Sequence, residues 1–149
     1  MLPDKINKDT GALEEELRES ASFESFAQEM DDVFLSEEVG RDLAALIKAR
    51  KVKKTKLFMD ANIHENYGYQ LLSGKRYPSR DVLLSIFLSL GLSFEEVNSF
   101  LKAHGYSPLY VRRKFDAAVI YSLMRGWSVM QCNELLQENG LPLLKKEPV

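Results

Sequence analysis

Between Lys53 and Asp81 the sequence KKTKLFMDANIHENYGYQLLSGKRYPSRD sets cations beside hydrogen-bonding side chains. The cations Lys53, Lys54, Lys56, Lys75, Arg76 and Arg80 flank a polar run that holds His64, Glu65, Asn66, Tyr69 and Gln70. Ammonium and guanidinium groups neutralise anions, and amides and carboxylates match donor and acceptor patterns. Clustered cations therefore either attract a polyanion such as nucleic acid or form an ordinary solvated face.

Other chemistry has little material. The two histidines, His64 and His104, lie 40 residues apart with no cysteine or paired acidic motif beside them. No zinc spacing, Walker loop, GxGxxG run or serine-histidine-acid arrangement is present. Asp81 and Asp116 fall at expected helix starts, where carboxylates serve as caps or dipole partners. Cys132 falls at an apolar position and reads as a buried, inert thiol. No catalytic residue, cofactor or metal is expected, and an enzyme is not.

The net charge of -2 hides a strong asymmetry. Residues 1–38 carry 3 basic and 12 acidic side chains, net -9. Residues 39–80 carry 10 basic and 3 acidic side chains, net +7, and residues 81–149 carry 7 of each. The single cysteine precludes an intrachain disulfide and fits a reducing compartment. No apolar run reaches the roughly 18 residues of a membrane span, and the N-terminus lacks a signal-peptide core. A cytoplasmic protein with no membrane partner is expected.

The elements that must position these residues are helices throughout, because no alternating run is long enough for a strand. Residues 1–11 read as a tail. Residues 12–38 are acidic, and Phe23, Phe26, Met30, Val33 and Phe34 follow helical spacing behind Ser22, a capping residue. Helices are expected over Gly40–Lys51, Lys54–Ala61, His64–Leu72 and from Ser79 or Arg80 to Leu90. Asn62 tolerates the left-handed conformation of a tight turn, and Gly74 closes the third of these helices.

Asp81–Leu109 and Asp116–Leu144 are similar at an offset of 35 residues without a gap. Asp81/Asp116, Leu88/Leu123, Gly91/Gly126, Ser93/Ser128, Asn98/Asn133, Leu101/Leu136, Gly105/Gly140 and Leu109/Leu144 are identical pairs. Each unit reads as helix, Gly turn, Ser-capped helix and Gly end, which suggests two stacked helical hairpins.

Lys53 to Gly74 resembles the helix-turn-helix motif of the phage-repressor and Cro-like family, also called the Xre type, over 22 residues without a gap. The helix end LSLGLS, Leu88–Ser93, extends the resemblance to about residues 40–101. The wider chain is also similar to small helix-turn-helix proteins of Gram-positive bacteria. The resemblance implies an all-α, lambda-repressor-like bundle, extended here by a C-terminal helical hairpin and an N-terminal acidic helix. The corresponding segments are 1–38, 39–110 and 111–149.

It also implies roles. The helix after the turn enters the major groove, making His64, Glu65, Asn66, Tyr69 and Gln70 the candidate base readers. Lys53, Lys54, Thr55 and Lys56, at the start of the preceding helix, become candidate phosphate contacts, with Lys75 and Arg76 as further clamps. About five neutralised phosphates imply a log-log salt slope of roughly -4 to -5. Tyr67, Tyr69 and Tyr77 either touch DNA or pack this helix on the next. Three residues depart from the family pattern: Phe58 stands where alanine is usual, Gly68 where an aliphatic residue is usual, and Asn62 where the turn usually has glycine.

The implied function is a sequence-specific transcriptional regulator that binds double-stranded DNA as a homodimer. The alternative is a protein-interaction adaptor or antitoxin-like protein that keeps the fold. In either case the acidic N-terminal segment or the C-terminal hairpin is a possible protein-binding surface.

Overall fold

Serines, glycines and asparagines at the element boundaries divide the chain into helices. A computed structural model of the chain describes residues 9–29 and 38–146, and every regular element among them is an α-helix. α1 spans Thr10–Glu19 and α2 spans Phe23–Glu29. Ser22 starts α2 as expected, its hydroxyl accepting from the Ser25 N–H at 3.0 Å. α1 is an additional helix, capped by the Asp9 carboxylate on the Gly11 N–H at 3.2 Å. The Ser20 hydroxyl donates to the Glu16 carbonyl at 2.7 Å, and Ser20 itself is extended, which separates the two. Met30, Val33 and Phe34 of the expected apolar stripe lie outside the described residues, as does most of the expected tail.

α3 (Val39–Ala49) buries Val39, Leu43 and Ile47. It ends two residues before Lys51, because Lys51 takes φ 56, the left-handed region. α4 (Lys54–Asp60) and α5 (Glu65–Ser73) follow, then α6 (Arg80–Leu90), α7 (Phe94–Ala103), α8 (Lys114–Met124) and α9 (Val129–Glu138). The Ser79 hydroxyl caps α6 by accepting from the Val82 N–H at 3.2 Å. Buried apolar side chains form one cluster that runs from Val39 to Leu144 and draws on α3 through α9. α5 rests on α3 and α4, and α4 rests on α6.

The sequence repeat is a structural one. Ser93 and Ser128 start α7 and α9 with capping boxes, completed by Glu96 and Gln131 at equivalent positions. Asn98 holds the tail of the first unit: its Oδ1 accepts from the Leu109 N–H at 2.7 Å. Asn133 does the same for Leu144 at 3.0 Å. The tails then cross. Asp116, in the second unit, accepts from the Tyr110 N–H at 3.0 Å, and Asp81, in the first, accepts from the Lys145 N–H at 2.9 Å. Positions 110 and 145 are themselves 35 apart. The exchange is reciprocal: the first helix of each unit holds the tail of the other.

Candidate nucleic-acid interface

The geometry around α5 begins with the turn before it. Asn62 takes φ 61, and Ile63 is buried with its N–H bonded to the Phe58 carbonyl at 2.8 Å. His64 is not the first helical residue but the cap: its Nδ1 accepts from the Asn66 N–H at 3.3 Å. Its imidazole is thereby committed to α5, which limits it as a base reader. Glu65, Asn66 and Tyr69 are exposed, whereas Gln70 is half-buried. Tyr67, Gly68 and Leu71 form the buried face.

Two close approaches fix α5 in place. A Cβ on Gly68 would lie 2.6–2.7 Å from ring carbons of Phe58, so the α4 ring occupies the space a side chain would need. Two of the departures from the family pattern, Phe58 and Gly68, are thus one feature, a large residue on α4 set against a missing one on α5. The Phe58 ring also meets Tyr69 edge-on, with centroids 5.4 Å apart. At the other end, a Cβ on Gly40 of α3 would lie 2.3 Å from the Leu71 carbonyl oxygen. Only glycine permits that approach of α3 to α5.

The ten cations of residues 39–80 are not equally available. Arg41 pairs with Glu38 and Asp42, Arg50 with Glu96 at 2.5 Å, and Lys56 with Asp60 at 2.7 Å. Arg80 makes a two-pronged contact with the buried Asp116 at 3.0 and 3.1 Å and also donates to the Ser107 and Pro108 carbonyls. Lys48, Lys51, Lys53, Lys54, Lys75 and Arg76 make no ion pair among the described residues. Lys56 therefore contributes less free charge than its position suggested. Lys48 and Lys51 join the available set, although neither belonged to the resemblance; their closeness to Lys53 in sequence was the available signal. Thr55 is exposed beside Lys54.

The tyrosines divide. Tyr67 is buried in the packing, with the Arg76 guanidinium 5.9 Å from its ring centre. Tyr69 remains exposed, and Tyr77 is exposed while stacked on Tyr106. Glu38, Arg41, Ser73, Arg76 and Tyr77 border a shallow groove of about 290 Å³ between the start of α3 and the end of α5.

The remaining chemistry-bearing residues do not converge. His104 is buried at the end of α7, its Nε2 3.1 Å from an Asp42 oxygen. Cys132 is buried, and burial pushes its thiol pKa up against a weaker downward pull from Ser122. No group of three His, Cys, Asp or Glu suited to a metal ion occurs among the described residues, and no helix among them is long and apolar enough to cross a membrane. The chain matches no protein-family model, no curated protein and no solved structure.

Proposed function

We propose that this chain is a sequence-specific DNA-binding transcriptional regulator, with α4 and α5 as the helix-turn-helix of a lambda-repressor-like bundle. The observation that carries this reading is the division of α5. One side is locked onto Phe58 and α3, and the other leaves Glu65, Asn66 and Tyr69 uncovered between unpaired cations at Lys53 and Lys54 and at Lys75 and Arg76. A rigid polar face flanked by cations is what major-groove reading requires: backbone charges set register, and amides select bases. As a homodimer, the protein would place two copies of α5 about one helical turn apart on a two-fold operator.

The test is a selection of duplexes from a random pool, followed by affinity measurements on the selected and scrambled sites. Asn66→Ala should lower the preference for the selected site by about 1–3 kcal/mol, chiefly at one adenine. Lys54→Ala and Lys75→Ala should weaken both sites alike. An Asn66→Ala protein that keeps its full preference would remove α5 from base reading.

A further inference from the structure

The two hairpins are equivalent position by position, so each serves as a control for the burial of the other. Leu84, Ser85 and Leu88 on α6, and their equivalents Val119, Ile120 and Leu123 on α8, are buried in both units. A second set differs. Val82, Leu83, Ile86 and Leu90 are buried on α6, while Ala117, Ala118, Tyr121 and Arg125 on α8 are half-buried or exposed. At roughly 100° per residue the two sets occupy opposite arcs of the helix. α6 packs on α8 and also on α4, which has no equivalent in the second hairpin, so α6 has a covered arc that α8 lacks. On α8 the equivalent arc faces outward: Ile86 is 0% exposed, but Tyr121 is 42% and the neighbouring Met124 67% exposed.

We infer that this outer arc of α8 is the surface on which a second copy of the chain docks. Tyr, Met, Arg and Trp are the residue types that interfaces favour, and Tyr121, Met124, Arg125 and Trp127 stand together here. Tyr121, Arg125 and Trp127 are also held in place. The Trp127 ring meets Tyr121 edge-on at 5.3 Å, and the Arg125 guanidinium lies 3.9 Å from the Tyr121 ring centre. Little side-chain freedom is then lost on association. The charge pattern selects the occupant. Arg125 lies over the Tyr121 ring, while Glu134 and Glu138 border the groove beside Trp127. A patch with both signs around two rings complements itself under a two-fold, where each contact is made twice. A uniformly acidic or basic partner would match only half of it. The inference takes from the proposed function only the expectation of a dimer.

Sedimentation equilibrium of the full chain at micromolar concentrations tests it. Wild type should sediment as a dimer. Met124→Glu and Arg125→Glu should each raise the dissociation constant at least about tenfold, or 1.4 kcal/mol, with unchanged helical circular dichroism. Val111→Glu, at an exposed valine ahead of α8, should leave it unchanged. If one variant fails to fold, the other carries the reading. A monomeric wild type overturns the inference, and so does a dimer indifferent to both variants. A monomer that still binds selected DNA would sink only the dimer surface; a dimer that binds none would sink only the proposed function.

Discussion

At the scale of single residues, the informative pair is Phe58 and Gly68. Each was visible in the sequence as a departure from the family pattern, but their relation was not, because ten residues and a turn separate them. Gly68 lies inside a helix, where glycine is about 1 kcal/mol worse than alanine, so on propensity alone Gly68→Ala should stabilise. The Phe58 ring at 2.6–2.7 Å decides the sign the other way. Overpacking of this kind costs about 1–3 kcal/mol. Gly68→Ala should therefore lower stability by up to about 2 kcal/mol net in urea denaturation, and Phe58→Leu should recover part of that loss in the double variant, with a coupling above about 0.5 kcal/mol. A stabilised Gly68→Ala protein would show that the ring yields freely. His64 illustrates a different limit. Its place beside the turn was legible, but whether it began the helix or capped it depended on a hydrogen bond to the Asn66 N–H.

At the scale of elements, boundaries marked by capping chemistry were the legible part. Ser79 and the left-handed Gly91 bracket α6 as the sequence indicated, and the Ser-capped second helices of both repeat units followed from the same signals. Contacts between distant elements were not legible, since no local pattern encodes them. Arg50, at the end of α3, and Glu96, in the first turn of α7, are 46 residues apart. The Arg50 guanidinium, and after it the Ser93 N–H, hold the Glu96 carboxyl below its ordinary 4.5. A depressed folded-state pKa means that the pair's contribution is complete above about pH 4.5 and is lost as pH falls through the folded value. Glu96 is nearly half exposed, so screening keeps that contribution under about 1 kcal/mol. Arg50→Met should be less stable than wild type at pH 7, and the gap should narrow as pH is lowered below 4.5 and the Glu96 carboxyl protonates, read as the difference in urea midpoints. A gap that persists in acid would assign the loss to packing of the Arg50 stem instead.

At the scale of the whole molecule, the sequence total was a poor guide and the charge distribution a better one. The basic middle segment was plain from counting, but counting could not show that Arg41, Arg50, Lys56 and Arg80 already have carboxylate partners. The six cations left over make no ion pair among the described residues. The repeat was likewise readable as a repeat, while the crossing of its tails through Asp81 and Asp116 required the fold. The central claim, that these cations and α5 together form a DNA-binding face, is electrostatic and has a direct measure. Fluorescence anisotropy of a labelled selected duplex, titrated with the full chain across about 50–300 mM salt, should give a log-log affinity slope of about -5 for one protomer on its half-site and about -10 for the dimer on the full operator. A slope near zero, or no binding at the lowest salt, would contradict it.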